Sequence, residues 1–526
     1  MKSQSAWLTL NETELASMQT LSKEYINFLS EYKIEREIVQ AAIAYAQAAG
    51  YVNLDDYIRL GRRLQAGDKV YATTKHKAII LAHIGTAPLH EGFSILGAHI
   101  DSPRLDVKQN PLFEDHGIAK LDTHYYGGIK SYQWVTLPLA LHGVVAKKDG
   151  TLVSVCIGEK PSDPVFCISD LLIHLAGEQM KKPASDVIDA EALDIIVGSS
   201  PLCIQRADDG TYHYCVRSSN ATSTADTHVT SMSATGQHAT GTSTTNQQAA
   251  DAHATDAPNS ALNAASTPSA ISSGTVKAAL LQYLLESYGI QEDDFISAEL
   301  EVVPAGCARE MGFDRSMILA YGQDDSACAF TSLKAQLDVT NITRTALCVL
   351  VDKEEIGSVG ASGMASCFFE DTVAEIMECM GCGGMLNLKR ALRASHMLSS
   401  DVSAGFDPAF PSSFEAKNAA FLGRGLVFNK YTGARGKSGS NDASAEYMAR
   451  IRRIMDDAQV VYQTAELGKV NAGGGGTIAY LPAKYGMDVI DSGISVLSMH
   501  APWEITSKVD VYEAYKGYKA FLEQRA

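Results

Sequence analysis

The stretch from Ala346 to Met364 (ALCVLVDKEEIGSVGASGM) constrains the fold of this 526-residue chain more than any other. Its apolar, β-branched run Leu347–Val351 predicts a strand buried on both faces of an α/β sheet. The strand leads into two adjacent acids, Glu354 and Glu355, and then into a glycine-containing loop. Open α/β sheets bind ligands at the carboxyl ends of their strands, so this pair predicts a site there. Taken alone, a Glu-Glu pair also fits a solvated acidic turn.

The two adjacent acids need different partners. Consecutive side chains of an extended segment point to opposite sides, so Glu354 and Glu355 cannot both face the same ligand. One of them can bind a metal ion while the other faces a substrate.

Composition narrows the class of protein. A chain of this length predicts two domains, and 46% hydrophobic with 20% charged residues is typical of a globular protein. The formal net charge of −17 argues against nucleic acid or an anionic membrane as the main partner. The N-terminal residues lack the apolar core of a signal peptide, and the cysteines are scattered through apolar runs. We therefore expect a cytoplasmic α/β protein with no nucleic-acid or membrane partner.

Five predicted strand ends carry a side chain that can bind a metal ion. They are His99, Asp324, the pair Glu354 and Glu355, Asp401 and His500. Nitrogen and carboxylate ligands without cysteine suit Zn²⁺, with Co²⁺ or Mn²⁺ as substitutes. Two histidines and three carboxylates, one of them shared, would make two sites of three protein ligands each. The remaining glutamate could act as a general base, so the set predicts a two-metal hydrolase.

A His-x-Asp motif, His99 and Asp101, lies at the end of the strand predicted over residues 93–98. On an extended strand these two side chains share one face, about 6–7 Å apart. That arrangement suits a metal-binding histidine that is oriented by a carboxylate behind it. As an isolated motif, it is more often an ordinary polar contact.

The rest of the chain divides into α/β and β-rich parts. Residues 11–48 predict a helix that begins with a capping box, and β-rich patterns start at about residue 104. A short helix is predicted over residues 168–180, where His174 lies among apolar neighbours. Residues 218–273 are dominated by Ser, Thr, Ala, Asn, Gln and His, and such a segment is expected to be disordered. Strands and helices alternate again from about residue 310.

A loop over residues 430–437 (KYTGARGK) combines glycines with three cations, Lys430, Arg435 and Lys437. Cations on a flexible loop can recognise an anionic group of a substrate. A solvated turn fits this pattern at least as well.

Nine stretches, which span nearly the whole chain outside the low-complexity segment, resemble a known family. They are GAHIDSPRLDVKQNPL (97–112), THYYGGIKSYQWVTLPLALHGV (123–144), ISAELEVVPAG (296–306), YGQDDSACAFTSL (321–333), VDKEEIGSVGASGM (351–364), SSDVSAGFDP (399–408), KYTGARGKSG (430–439), GGGGTIA (473–479) and VLSMHAPWE (496–504). Together they closely resemble the aspartyl aminopeptidase and vacuolar aminopeptidase I family of di-zinc exopeptidases, in its bacterial branch. The resemblance implies a zinc-exopeptidase-like mixed α/β sheet flanked by helices, with an inserted β-rich dimerisation domain.

The same resemblance implies two metal sites. One zinc ion would be held by His99, Asp324 and Asp401. The second would be held by Glu355, His500 and the same Asp324, which would therefore bridge the two ions.

Three further residues acquire roles through the resemblance. Glu354 matches the general base of the family. Asp101 matches the carboxylate beside the first histidine, and His174 matches a histidine that reaches the active site from a neighbouring subunit. Lys430, Arg435 and Lys437 become candidates for substrate binding, so the expected partner is a peptide.

The resemblance also implies a domain plan and an assembly. The catalytic domain would comprise residues 1–103 and 310–526, and the dimerisation domain would be inserted over residues 104–309. Members of the family assemble from dimers into dodecameric tetrahedral shells, so we expect a homo-oligomer. The chain departs from the family pattern at Ser326, where bacterial relatives commonly have arginine, and in the length of the 218–273 segment.

The implied activity is removal of the N-terminal residue from peptides. The family includes enzymes selective for acidic N-terminal residues and others that prefer neutral, apolar ones, and we slightly favour acidic substrates. Two other functions stay open. The metal set alone would also suit a di-zinc carboxypeptidase or deacylase, and a catalytically silent shell-forming scaffold could retain the fold.

Overall fold

The predicted central strand is Ala346–Val351, in the interior of a nine-stranded mixed sheet. The strands follow one another in the order Val52–Asn53, Lys69–Thr74, Ala78–His83, Ala346–Val351, Ser94–His99, His396–Ser400, Asp488–Gly493, Leu426–Asn429 and Tyr462–Ala465. The four strands from Ala346–Val351 to Asp488–Gly493 in this order run parallel. Their carboxyl ends therefore meet at one edge of the sheet, where the predicted site lies.

The structure is a computed structural model that describes residues 5–201, 203–206, 212–215, 272–273, 275–340, 342–466, 468–473 and 475–524. The segment predicted to be disordered, 218–273, lies outside the described residues except for the short strand Ser272–Ser273. In the part of the chain that is described, no helix is long and apolar enough to cross a membrane.

The central strand is apolar throughout because both of its faces are buried. Ala346, Cys348 and Leu350 belong to one hydrophobic cluster, whereas Leu347 and Val349 belong to a second cluster on the other face. This period of two is the geometry of a strand, and burial on both sides removes the usual alternation with polar residues.

Helices cover both faces of the sheet. The described α-helices are Glu12–Glu31, Glu35–Ala48, Leu54–Arg59, Val276–Tyr288, Gln323–Asp338, Phe368–Cys379, Met385–Arg393, Ala434–Lys437, Ala445–Asp457, Tyr480–Ala483 and Lys508–Glu523. The first cluster takes in Gln323–Asp338 and Lys508–Glu523, and the second takes in Phe368–Cys379. The predicted fold class, a mixed sheet flanked by helices, is confirmed.

A six-stranded antiparallel sheet makes up the β-rich part of the chain. In spatial order its strands are Leu152–Ile157, Leu139–Ala146, Ala298–Pro304, Arg104–Asp115, Ile118–Tyr126 and Ile195–Gly198. All six fall within the predicted insertion at 104–309 and share their own hydrophobic cluster. The domain boundaries and the dimerisation role stay predictions.

Two smaller sheets complete the fold. A three-stranded sheet comprises Tyr212–Cys215, Cys203–Arg206 and Ser272–Ser273. A five-stranded sheet comprises Arg309–Met311, Met317–Ala320, Glu504–Ser507, Ser495–Leu497 and Ser403–Ala404. The segments that carry Asp324 and His500 leave the strands of this five-stranded sheet, and not those of the nine-stranded sheet.

Two predicted helices differ from the structure. The helix predicted over 11–48 is interrupted at Tyr32–Ile34, although its capping box between Asn11 and Glu14 is present. The helix predicted over 168–180 is wrong, because this segment forms turns and the short 3₁₀ helix Gln179–Lys181. Ile168 and Ala176 are buried, but most of its apolar side chains are exposed, so no continuous packed face stabilises a helix too short to form on its own. The exposed ones are Leu171, Leu172, Ile173, Leu175 and Met180.

Candidate metal centre

Parallel strands deliver four of the candidate side chains to one edge of the large sheet. His99 is the last residue of its strand, and Asp401 directly follows the strand His396–Ser400. Glu354 and Glu355 lie in a 3₁₀ turn after Ala346–Val351, which the left-handed residue Lys353 (φ 71°) starts. The turn takes both glutamates off the extended path, so they reach the same space despite being neighbours in sequence.

The remaining two ligands approach from the five-stranded sheet. Asp324 follows Met317–Ala320 and has non-helical backbone angles (φ −86°, ψ 102°) at the start of the helix Gln323–Asp338. His500 lies in the loop after Ser495–Leu497, with a left-handed backbone (φ 65°). These departures from regular structure turn both side chains toward the edge of the large sheet.

The two carboxylate oxygens of Asp324 face the two histidines. The distance from His99 Nε2 to Asp324 Oδ1 is 3.2 Å, and that from His500 Nε2 to Asp324 Oδ2 is also 3.2 Å. Asp401 Oδ1 lies 3.9 Å from His99 Nε2, and Glu355 Oε1 lies 3.5 Å from His500 Nε2. Two groups of three potential ligands share Asp324, and a third group at the same place comprises His99, Glu354 and Glu355.

The spacing and the donor atoms fit metal ions. Ligand atoms at the corners of a tetrahedral zinc site are roughly 3.4 Å apart, which matches these separations. Asp324 Oδ1 and Glu355 Oε1 are buried and accept no hydrogen bond from the described residues. Burying an oxygen atom without a hydrogen-bond partner costs free energy, and a bound cation would compensate both atoms.

A second cluster, around His142, differs from the candidate site because its histidine is hydrogen-bonded directly to carboxylates. His142 is 1% exposed and contacts Glu37 through Nδ1 at 2.7 Å and Glu159 through Nε2 at 3.1 Å. Cys156 lies close to the first pair. The 2.7 Å contact is a direct hydrogen bond that leaves no space for an ion between the two groups.

Negative charge is concentrated around the candidate site. Seven carboxyl groups surround two imidazoles: Asp101, Asp324, Asp325, Glu354, Glu355, Asp401 and Glu504. Burial raises the pKa values of Glu355 and Asp401 above their usual range, and it raises the pKa of Glu354 to about 7. Burial also acts on Asp324, but the two neighbouring imidazoles of His500 and His99 outweigh it and hold the pKa of Asp324 low. Divalent cations would relieve this concentration of like charge.

Asp101 positions His99 and the main chain of Glu354 and Glu355. Its carboxylate is fully buried and accepts the main-chain N–H groups of Glu354 and Glu355, each at 3.1 Å. The Tyr126 hydroxyl donates to it at 2.8 Å. His99 Nδ1 lies 2.9 Å from the Asp101 main-chain oxygen and 3.4 Å from Oδ1. A proton on Nδ1 leaves His99 Nε2 free to bind a metal ion.

Glu504 has an equivalent role beside Asp324 and His500, and it is not among the residues predicted from the sequence. Its Oε2 accepts the main-chain N–H of Asp324 at 3.0 Å, and its Oε1 accepts that of His500 at 2.7 Å. Burial raises the pKa of Glu504 to about 8. The available signal was its place at the end of the motif VLSMHAPWE, although nothing in the letters reveals which amides it accepts.

The structure does not bring every predicted site residue to this cluster. His174 is an exposed turn residue and belongs to none of the four groups of potential metal ligands found among the described residues. Lys430 and Lys437 both pair with Asp442, Lys437 at 2.9 Å. Arg435 belongs to the short helix Ala434–Lys437, and its side chain lies outside what the structure describes.

A cavity of about 690 Å³ opens beside His500. Gly128, Lys130 and Tyr132, from the predicted insertion, line it together with Phe410 and Met499. A peptide of a few residues could therefore approach the cluster from this side.

Comparison with known proteins agrees with the geometry. The family model Aminopeptidase I zinc metalloprotease (M18) matches residues 28–522. The probable M18 family aminopeptidase 1 of Clostridium acetobutylicum is 50% identical over 517 residues, covering 98% of this chain and 97% of the relative.

Solved structures give the same result. The M18 aminopeptidase of Thermotoga maritima has 37% identity and a TM-score of 0.83, with all of both chains covered. The mApe1 dodecamer of S. cerevisiae shares the fold at 18% identity, with a TM-score of 0.66 and 95% of both chains covered. The family resemblance inferred from the sequence motifs is confirmed, and the chain belongs to the M18 family of zinc metalloaminopeptidases.

Proposed function

We propose that this aminopeptidase uses two zinc ions per subunit, with Co²⁺ or Mn²⁺ as possible substitutes. The position of Asp324 carries the proposal, because its two oxygens face His99 Nε2 and His500 Nε2 at equal distances of 3.2 Å. His99, Asp324 and Asp401 would hold one ion, and Asp324, Glu355 and His500 the other. Each set provides three protein ligands and leaves a position for water or substrate, as catalytic zinc sites do.

Glu354 is the proposed general base. One of its carboxylate oxygens lies within 4.8 Å of ligand atoms of His99 and Glu355. Two zinc ions bound at the site would polarise the scissile carbonyl and lower the pKa of the attacking water. Glu354 would take a proton from that water and pass it to the leaving amine. Asp101 would orient His99 and fix the main chain on which Glu354 is carried.

Metal analysis of matched variants tests the bridging assignment. We expect two zinc ions per subunit in the wild type, none in Asp324→Ala and one in Asp401→Ala. Retention of stoichiometric zinc by Asp324→Ala would refute the bridge. Glu354→Gln should keep both ions and the fold while turnover falls roughly 10²–10⁴-fold, the range for loss of a general base. An active Glu354→Gln enzyme would refute that role.

A peptide panel tests the reaction. The substrates have N-terminal Asp, Glu, Leu, Lys or acetylated Leu, with zinc or cobalt supplied. Cleavage of free but not acetylated N-termini supports an aminopeptidase. Cleavage regardless of acetylation would favour the carboxypeptidase or deacylase alternative, and no cleavage of any peptide would favour a silent scaffold.

Preference for acidic N-termini is the proposed specificity, with neutral or apolar residues as the alternative. Lys430, Lys437 and Arg435 together carry more positive charge than Asp442 neutralises, so the loop could still bind a carboxylate. Asp442→Asn would release both lysines and should raise the ratio of kcat/KM for N-terminal Asp over Leu. Lys430→Met should lower that ratio. An unchanged ratio in both variants would favour the alternative.

We also propose a homo-oligomer built from dimers, with His174 reaching the site of a neighbouring subunit. Four apolar side chains adjoin His174 and are about half or more exposed: Leu171, Leu172, Ile173 and Leu175. Contiguous exposed apolar groups are typical of subunit contacts. Light scattering tests for a dodecamer, the state named for the S. cerevisiae relative. His174→Ala subunits mixed with Glu354→Gln subunits should regain activity if the histidine acts across the interface.

A cytoplasmic location fits the free thiols. The eight cysteines that the structure describes form no disulfide, although Cys156, Cys307 and Cys367 are exposed. Exposed thiols persist in a reducing compartment, whereas an oxidising one favours disulfides.

A further inference from the structure

The inserted domain reaches directly into the candidate site through Tyr126. This residue ends the strand Ile118–Tyr126 of the six-stranded sheet, and its hydroxyl donates to Asp101 Oδ2 at 2.8 Å. Asp101 is fully buried, so no solvent molecule can readily replace this donor. The same carboxylate accepts the amides of Glu354 and Glu355. Tyr126 is therefore bonded to the same carboxylate that accepts the main-chain N–H groups of the proposed base, Glu354, and of a proposed ligand, Glu355.

The Tyr126 ring is held in place from behind. The Arg104 guanidinium lies 3.9 Å from the ring centroid, which is a close cation–π contact. Arg104 is itself buried and pairs with Glu301 and Asp106, both at 2.8 Å. A planar guanidinium paired with two carboxylates is a rigid support. The hydroxyl is thus presented to Asp101 in one orientation.

The chain that follows Tyr126 supports the second half of the site. The Gly128 main-chain oxygen lies 2.9 Å from His500 Nδ1, so a proton on Nδ1 would be donated to it. That bond leaves His500 Nε2, which faces Asp324 and Glu355, unprotonated and able to bind metal. The short segment from Tyr126 to Gly128 therefore supports both histidines: Tyr126 through Asp101, which contacts His99, and Gly128 by direct contact with His500.

We propose that Tyr126 is a positioning residue for the metal centre. Its hydroxyl fixes Asp101, and Asp101 in turn fixes the His99 tautomer and the position of the Glu354–Glu355 main chain. The inserted domain then contributes to metal binding within its own subunit, in addition to any role in assembly. This inference rests on the proposed function of the cluster as the zinc site.

Tyr126→Phe tests the role, because it removes one hydroxyl and keeps the ring on Arg104. Tyr125→Phe is the matched control, since Tyr125 is the adjacent residue, is 44% exposed and has no hydroxyl hydrogen bond among the described residues. Metal-free protein is titrated with Co²⁺ in competition with a chelator. We expect Tyr126→Phe to bind Co²⁺ roughly 10–100-fold more weakly, the usual effect of losing a partner behind a metal ligand. Tyr125→Phe should match the wild type.

Steady-state kinetics supplies a second readout. With metal in excess, Tyr126→Phe should lower kcat and leave KM nearly unchanged, because the hydroxyl touches no substrate group. Wild-type Co²⁺ affinity together with wild-type kcat in Tyr126→Phe would overturn the proposal. Equal losses in Tyr125→Phe would overturn it as well, since the effect would then not belong to the hydroxyl bond.

A double-mutant cycle with Asp101→Ala tests the route, because alanine leaves no acceptor for the Tyr126 hydroxyl. If Tyr126 acts through Asp101, adding Tyr126→Phe to Asp101→Ala causes little further loss of Co²⁺ affinity. Independent, additive losses would overturn the route. Failure of the proposed function is distinguishable, because a wild type that binds metal but cleaves no peptide leaves the Co²⁺ comparison intact. The cycle also remains informative if Tyr126→Phe alone proves too unstable for kinetics.

Discussion

The Glu504 carboxylate accepts the main-chain N–H of Asp324 at 3.0 Å, so a buried acid holds the backbone of the proposed bridging ligand. Its other oxygen accepts the amide of His500 at 2.7 Å. Glu504 is 1% exposed, and it lies on the strand Glu504–Ser507 that neighbours the strand leading to Asp324. One carboxylate thus ties two proposed ligands, 176 positions apart in sequence, to one rigid element.

Glu504→Gln should weaken the site although Glu504 is not itself a proposed ligand. The amide keeps one acceptor oxygen, but its NH₂ group would face one of the two main-chain donors. An unpaired buried donor costs about 1–3 kcal/mol, so the thermal midpoint should fall. Zinc retained after dialysis against a chelator should fall too, and more in Glu504→Gln than in Glu415→Gln, an exposed control. Equal zinc retention in both variants would contradict the role.

Gly127→Ala should disturb one metal position selectively. A Cβ atom at Gly127 would lie 3.2 Å from Glu355 Oε2, and the backbone has φ +73°. Gly117 in the same hairpin has φ +78° with nothing within 4 Å of its Cβ position. Both substitutions incur the left-handed backbone penalty of about 1–2 kcal/mol, but only Gly127→Ala should displace Glu355. We expect zinc analysis to show loss of one ion in Gly127→Ala and of none in Gly117→Ala.

The large sheet and the candidate ligands at its edge could be located from the sequence because their signals are local. Leu347–Val351 reads as a strand from its own composition, and His99 and Asp401 directly follow apolar strands. A strand that is buried on both sheet faces is apolar along its length, so an apolar run in the sequence indicates a strand in the interior of a sheet. Asp401, predicted to lie at a strand end, directly follows the structural strand His396–Ser400.

What the sequence did not reveal depends on contacts between distant segments. Glu504 and Tyr126 act through hydrogen bonds to amides and to a carboxylate in other elements, and no periodicity records such partners. Asp324 and His500 lie at predicted strand ends, but the sequence does not show that their strands form a separate five-stranded sheet, because strand pairing is a contact between distant segments. The 168–180 helix failed because apolar spacing does not tell whether a face is covered.

His83 should make the protein less stable in acid. Burial lowers the pKa of His83 to about 4, with a contribution from Lys69, and its Nδ1 accepts no hydrogen bond from the described residues. Between pH 6.5 and 4 the unfolded chain binds a proton that the folded chain does not, so stability falls as the pH falls. The difference amounts to about 2 kcal/mol at pH 5.

Thermal unfolding at pH 7 and pH 5 measures this loss of stability, with chelator present to remove any metal contribution. The fall in midpoint on acidification should be smaller in His83→Gln than in the wild type. His90→Gln is the control, since His90 is exposed. Identical pH dependence in wild type and His83→Gln would show that His83 is protonated in the folded protein.

Removal of metal should destabilise the protein through the charges that it leaves behind. Glu354, Glu355 and Asp401 converge on one buried edge, where burial and neighbouring carboxylates raise their pKa values, so their ionised forms oppose folding when no cation is bound. An ion that binds only the folded state at 1,000 times its Kd stabilises that state by about 4 kcal/mol. Chelator should therefore lower the thermal midpoint of the wild type by several degrees, and added zinc should restore it.

The variant Asp324→Asn tests whether the stabilisation by zinc depends on the proposed bridging residue. It removes one charge and, by the bridging assignment, affinity for both ions. Its midpoint should be no higher than that of the metal-free wild type, because the folded protein holds the pKa of Asp324 low and this carboxylate therefore contributes stability at neutral pH. Added zinc should leave the midpoint of the variant unchanged. A zinc-dependent rise in Asp324→Asn equal to that of the wild type would show that the two ions, if both bind, do not share this residue.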